Sequence, residues 1–242
     1  GGEMAPVART LASGRGVLEP IQTATSLEGQ VEELRWVLEK RGDLPITLIG
    51  FSWGAWLSLL VAAHYPALVR KLILVGSGPF EEQYVARLRE TRLGRLSEVE
   101  RTEFEASVSG LADPATKDRD TLLSRLGALA AKTDAYDPVS DEPDGTDLVS
   151  LQGDVYQGVW EDAAALRRSG KLLALGNGIQ CPVVAIHGDY DPHPAEGVQA
   201  PLSATLARFR FILLEKCGHK PWIERQARDA FYRILQEELP PP

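Results

Sequence analysis

Gly50-Phe51-Ser52-Trp53-Gly54 places a serine at the centre of a Gly-x-Ser-x-Gly pentapeptide, between an apolar run over residues 46–50 and another over 55–64. The first run reads as a strand and the second as a helix, which is the setting this pattern needs. A serine on so tight a strand-to-helix turn has strained backbone angles, and flanking glycines keep side chains from colliding there. The Trp53 amide, first in the helix, would then face charge developing on a substrate oxygen, reinforced by the positive end of the helix. The chemistry suggested is nucleophilic attack on a carbonyl.

A serine hydroxyl becomes an effective nucleophile when an imidazole takes its proton and a carboxylate orients that imidazole. The four histidines are His64, His187, His193 and His219. His219 lies in Glu215-Lys-Cys-Gly-His-Lys-Pro221, on the loop leaving the last apolar strand run, 210–214, at its carboxyl end. Asp191 lies in His187-Gly-Asp-Tyr-Asp-Pro192, on the loop leaving the preceding run, 183–187. Serine, acid and histidine thus occur in the order Ser52, Asp191, His219. Asp189 is the rival acid, but it sits nearer the strand end and suits a turn-stabilising role. His187 reads as a structural histidine of a buried strand, and His64 closes its helix beside Tyr65-Pro66. His187, Asp189, Asp191 and His193 together suggest a metal, yet alternate residues of a strand point to opposite faces, and no metal is expected.

The elements that must position these residues follow from periodicity. Apolar runs at 16–20, 46–50, 71–75, 183–187 and 210–214 read as strands, and the continuous runs of Val, Ile and Leu mark strands buried on both faces. Helices are expected over 27–41, capped by Ser26 and stopped by Gly42, and over 55–64, 196–207 and 222–239. Alternating strands and helices predict an α/β fold with a mainly parallel, doubly wound sheet. Between Val75 and Val183 the rhythm gives way to charge-rich helical stretches at 81–95, 97–108, 120–132 and 159–169, with an acidic, exposed loop over 134–147. The division expected is a core of residues 1–78 and 178–242 with a helical insertion at 79–177.

Composition narrows the class further. The 242 residues carry 26 Lys plus Arg against 34 Asp plus Glu, a net charge of −8, so a nucleic-acid footprint is not expected and strongly anionic substrates are disfavoured. The longest nearly apolar run, 56–63, is too short to span a membrane, and no basic start precedes an apolar stretch, so neither a membrane partner nor a signal peptide is expected. Two cysteines, Cys181 and Cys217, do not make a disulfide scaffold; a reducing, cytoplasmic setting with both thiols free is expected. Oligomeric state is not legible in the sequence.

Gly-Phe-Ser-Trp-Gly, Ile-His-Gly-Asp-Tyr-Asp-Pro and Cys-Gly-His-Lys-Pro-Trp resemble the nucleophile elbow, acid loop and histidine loop of the α/β-hydrolase family. The resemblance covers the two flanking blocks, and the insertion falls where that family carries its lid. It implies a hydrolase fold whose N-terminal strands are missing or reduced, with catalytic Ser52, Asp191 and His219 and no cofactor. The opening Gly1-Gly2-Glu3-Met4 resembles the end of a glycine-rich loop, as in proline iminopeptidase-like members, which would put a second oxyanion N–H near Gly2 or Glu3. A small acyl substrate is implied, with contacts from Phe51 and from Phe80, Tyr84, Tyr156 and Trp160 of the insertion, aromatics that would serve equally to pack the lid on the core. The alternatives are a weak or inactive ligand-binding scaffold, in which the oxyanion donor is poorly held, and a lyase or acyltransferase using the same three residues.

Overall fold

The computed structural model describes residues 2–113, 115–139 and 153–240, and of 153–157 the helical backbone alone. Four strands, β1 (Ile46–Phe51), β2 (Val69–Val75), β3 (Val183–Gly188) and β4 (Phe209–Leu214), form one sheet in the order β1-β2-β3-β4. All three pairings are parallel, with Phe51 opposite Val75, Val75 opposite Ile186, and Ile186 opposite Ile212. The carboxyl ends of the strands therefore lie side by side, and the loops after β1, β3 and β4 converge on one edge.

The helices are α1 (Ala5–Leu11), α2 (Leu27–Arg41), α3 (Trp53–His64), α4 (Val85–Gly94), α5 (Glu98–Ala112), α6 (Arg119–Asp134), α7 (Gly153–Arg168), α8 (Lys171–Ala174), α9 (Glu196–Thr205) and α10 (Arg228–Glu238). Period-two alternation divides the strand residues between two apolar layers. Leu72, Leu74 and Ala185 meet α2, α3 and α9 on one face, while Ile73, Val75, Val184 and Ile186 meet α1 and α10 on the other. This double cover explains why the strand runs are continuously apolar. Local signals act where expected: Ser26 accepts a hydrogen bond from the Gly29 amide at the start of α2, and Ser97 and Glu100 form a capping box on α5.

Three expectations need correction. Residues 16–20 form no strand: Pro20 has no N–H to give a ladder, and Val17 and Leu18 are exposed, so the two apolar side chains gain nothing by pairing. The helix expected from 222 begins at Arg228, after a short 3-10 turn over Pro221–Ile223. Asp134, placed by sequence in an exposed loop, is buried at the end of α6, where Arg92 grips its carboxylate with two hydrogen bonds of 2.9 and 2.5 Å. Residues 140–147 of that acidic stretch lie outside the described residues. No helix among the described residues is long and apolar enough to cross a membrane.

Candidate active site

β1 ends at Phe51 and α3 begins at Trp53, leaving Ser52 alone at the turn with φ 51° and ψ −115°. That left-handed geometry is costly for a residue with a Cβ and is held by a hydrogen bond from the Ser52 amide to the Val75 carbonyl, 3.0 Å. A Cβ at Gly50 would overlap the Gly54 carbonyl, so glycine is required there; at Gly54 a Cβ would meet nothing within 4 Å. The crowding argument for the elbow therefore holds for its first glycine only. The Ser52 hydroxyl makes no hydrogen bond among the described residues.

His219 sits over the carboxyl end of β2. Its ring lies 4.7 Å from that of Phe51, and a Cβ on Gly76 would stand 2.8 Å from its carbonyl oxygen. Its Nδ1–H donates to Oδ2 of the fully buried Asp191 carboxylate at 2.7 Å. Asp189 turns the other way: its Oδ1 accepts the Cys217 amide at 3.1 Å, binding the acid loop to the histidine loop. Between the two rival acids, Asp191 is the one that faces His219.

Burial by itself would raise the Asp191 carboxyl, but the surrounding imidazoles of His219, His193 and His187 outweigh it and hold the group well below the usual carboxylate range. Burial would also lower His219; the Asp191 charge and hydrogen bond, with help from Asp134, overcome this and leave it raised. The Cys217 thiol is pushed up, first by burial and then by Glu224 and the two aspartates, so it carries no reactive thiolate. Both cysteines are free. Asp191, His193 and His219 offer atoms within 4.8 Å of one another, the grouping among the described residues whose donor types come nearest to a metal set. Both Nδ1 atoms are already committed to Asp191 at 2.7 Å, so the group reads as a hydrogen-bonded network.

The remaining sequence candidates divide. Glu3, Phe51, Ser52 and Trp53 line one cavity of about 640 Å³ that runs from the elbow along the outer edge of β1. Gly2 is not part of that lining, and its amide donates to Glu19 at 3.1 Å, which occupies the N–H expected to serve an oxyanion. Phe80 is fully buried against Trp56, with ring centroids 6.2 Å apart, and packs the insertion on the core. Trp160 stacks parallel on Trp56 at 6.0 Å, away from the cavity beside Ser52, and Tyr84 packs over Gly197. Tyr156 lies where side chains fall outside the described residues.

Sequence reasoning missed Glu224. This wholly buried carboxylate accepts three backbone amides, from Tyr136 and Asp137 at 2.8 Å and from Gly218 at 2.9 Å, and so ties the segment after α6 to the loop carrying His219. Its only sequence signal is a charge inside an otherwise apolar Pro-Trp-Ile-Glu turn. A carboxylate meeting three N–H donors is strongly held, and a glutamine there must turn an NH2 against one of them. Glu224→Gln is expected to cost about 3 kcal/mol of stability, a fall in Tm of roughly 6–12 °C for a chain this size. Thermal unfolding followed by circular dichroism checks this; an unchanged Tm would show that the clamp carries no stability.

Comparison with known proteins agrees with this architecture. A sequence model of the family described as alpha/beta hydrolase fold matches residues 19–226. A search of curated protein sequences finds no match. Among solved structures, that of VinJ is similar with a TM-score of 0.63 at 16% identity, over 88% of this chain and 72% of that one. An esterase from Exiguobacterium antarcticum gives 0.58 at 18%, over 93% and 78%, and a proline iminopeptidase from Mycobacterium smegmatis gives 0.57 at 16%, over 92% and 75%. These likenesses concern the fold, and with the family match over most of the chain they lead to one statement of identity: the chain belongs to the α/β-hydrolase fold family.

Proposed function

We propose that the chain is a serine hydrolase acting on an ester, amide or related acyl bond. The observation that carries this reading is the buried 2.7 Å pair of Asp191 and His219, whose ring lies 4.7 Å from that of Phe51, the neighbour of a serine held at φ 51° on a strand-to-helix turn. Ser52 Oγ attacks the substrate carbonyl carbon while Nε2 of His219 takes its proton, and the carbonyl electron pair moves onto oxygen. The Trp53 amide at the head of α3 and an amide in the turn at Glu3 stabilise that oxyanion. As the intermediate collapses, the bond to the leaving group breaks and His219 returns the proton to it. Water, deprotonated by His219, then attacks acyl-Ser52 and releases the acid. Asp191 keeps the Nδ1–H tautomer of His219 and offsets the charge it acquires. The cavity lined by Phe51 and Met4 receives the acyl part; among the described residues none of the insertion at 79–177 lines it.

The test is intact-mass analysis after treatment with a fluorophosphonate, followed by peptide mapping, alongside turnover of short- and long-chain p-nitrophenyl esters. One adduct on Ser52 with ester hydrolysis is expected. An adduct without hydrolysis would favour a lyase or acyltransferase, and a folded chain that takes no adduct would remove the catalytic reading and leave a ligand-binding scaffold.

A further inference from the structure

The three residues assigned to catalysis account for one side of the Asp191 carboxylate. Its Oδ2 accepts Nδ1–H of His219 at 2.7 Å, but its Oδ1 is equally occupied, by Nδ1–H of His193 at 2.7 Å and by the His193 backbone amide at 2.9 Å. The two imidazoles stack with centroids 4.6 Å apart and planes 27° from parallel. His193 is itself fixed from behind, because Nε2–H of His187 donates to its carbonyl at 2.8 Å. His187, His193 and Asp191 are all buried.

Resting on the serine-hydrolase reading, we propose that His193 is a positioning residue of this site: it anchors Oδ1 of Asp191 so that Oδ2 is presented in the plane of the His219 ring, and its stacked ring holds His219 in that plane. A carboxylate's last torsion is soft and roughly two-fold, so an aspartate bonded through one oxygen alone could swing; a second donor on the other oxygen removes that freedom. A stacked neighbour could perform this task only while uncharged, since two imidazolium rings 4.6 Å apart would repel. Burial keeps it so. The groups facing His193 are Asp191, His219 and Arg92, and burial with the two cations prevails over Asp191 to bring His193 down to about 4. The groups facing His219 are Asp191, the stacked His193, Asp134 and Arg92, with a raised value as the result. One carboxylate thus serves two imidazoles, and the proton leaving Ser52 goes to His219.

Two substitutions separate the donor from the ring. His193→Phe keeps a stacked ring and removes the hydrogen bond; His193→Asn puts an amide N–H where Nδ1–H stood and removes the ring. Measurements are kcat and KM against pH for a p-nitrophenyl ester, and the His219 imidazole titration by NMR on protein labelled with 15N-histidine. His193→Phe is expected to lower kcat by about 10- to 100-fold, the range for losing one hydrogen bond to a charged group, with KM little changed. It should also move the acid limb and the His219 titration to higher pH, because the Asp191 charge, no longer shared between two donors, acts more strongly on His219. His193→Asn should return both close to wild type. Should His193→Phe fail to fold, His193→Ala takes its place in the same comparison. An unmoved His219 titration in the donor-less variant overturns the proposal, as does equal loss in both variants with a wild-type acid limb, which marks packing alone. If wild type shows no Ser52-dependent turnover, the hydrolase reading fails, and the NMR titration still decides whether His193 acts on His219 through Asp191.

Discussion

Ser52→Ala should leave a folded protein whose kcat for an ester that the wild type cleaves is lower by about 10⁴- to 10⁶-fold, the range found when the nucleophile of a serine triad is removed. The variant keeps its shape because the hydroxyl has no partner among the described residues, and alanine and serine meet the same backbone cost at φ 51°. KM should change little, since the cavity walls and the oxyanion amides stay in place. Whatever rate remains above that of water reports what the amides, the cavity and His219 still supply, so the residual is itself informative. Steady-state kinetics with titrated active-site concentration measure the change, and a variant within tenfold of wild type would mean that Ser52 is not the attacking group.

Asp191→Asn is the second large effect, with kcat lower by about 10⁴-fold. An asparagine has one oxygen to offer where the aspartate offers two. The His193 amide and ring both donate at the Oδ1 position, so the new carbonyl oxygen settles there and the NH2 turns toward His219. Facing a donor, His219 takes the tautomer with its proton on Nε2, and it can no longer accept one from Ser52. The pH profile moves in the direction opposite to that of His193→Phe. In wild type the Asp191 charge is what raises His219 against burial; without it burial prevails and the acid limb shifts to lower pH. Full pH–rate profiles show both changes, and an acid limb that stays in place would separate Asp191 from the titration of His219.

Much of this was readable from residue types and order. Continuous apolar runs gave four strands, most clearly β2 and β3, where both faces of the sheet are covered, and the elbow was legible because Gly50, Ser52 and the strand-to-helix change are local features. Asp191 opposite His219 followed from both lying at carboxyl ends of neighbouring parallel strands. What sequence could not show was contact between distant segments. The Gly2 amide is taken by Glu19, 17 residues on, and Glu224 holds amides 87 and 88 residues before it. Phe80 looked like a pocket aromatic by type alone, and only its packing against Trp56 reveals a core residue. His193 was recognised as part of a cluster, but which oxygen of Asp191 it would meet depends on side-chain torsions that no spacing encodes.

The His219 amide donates to the carbonyl of Asp134, the last residue of α6, at 2.7 Å, and Glu224 grips the next two amides but one. The helical insertion is thus a structural support of the loop that carries His219 and not an accessory placed above it. Recombination between family members that transplants the whole stretch between β2 and β3 would remove the carbonyl on which His219 rests. A chimera that ends its foreign segment before Arg119, retaining α6 and the residues up to 139, would exchange the outer helices and keep the inherited seat of the histidine.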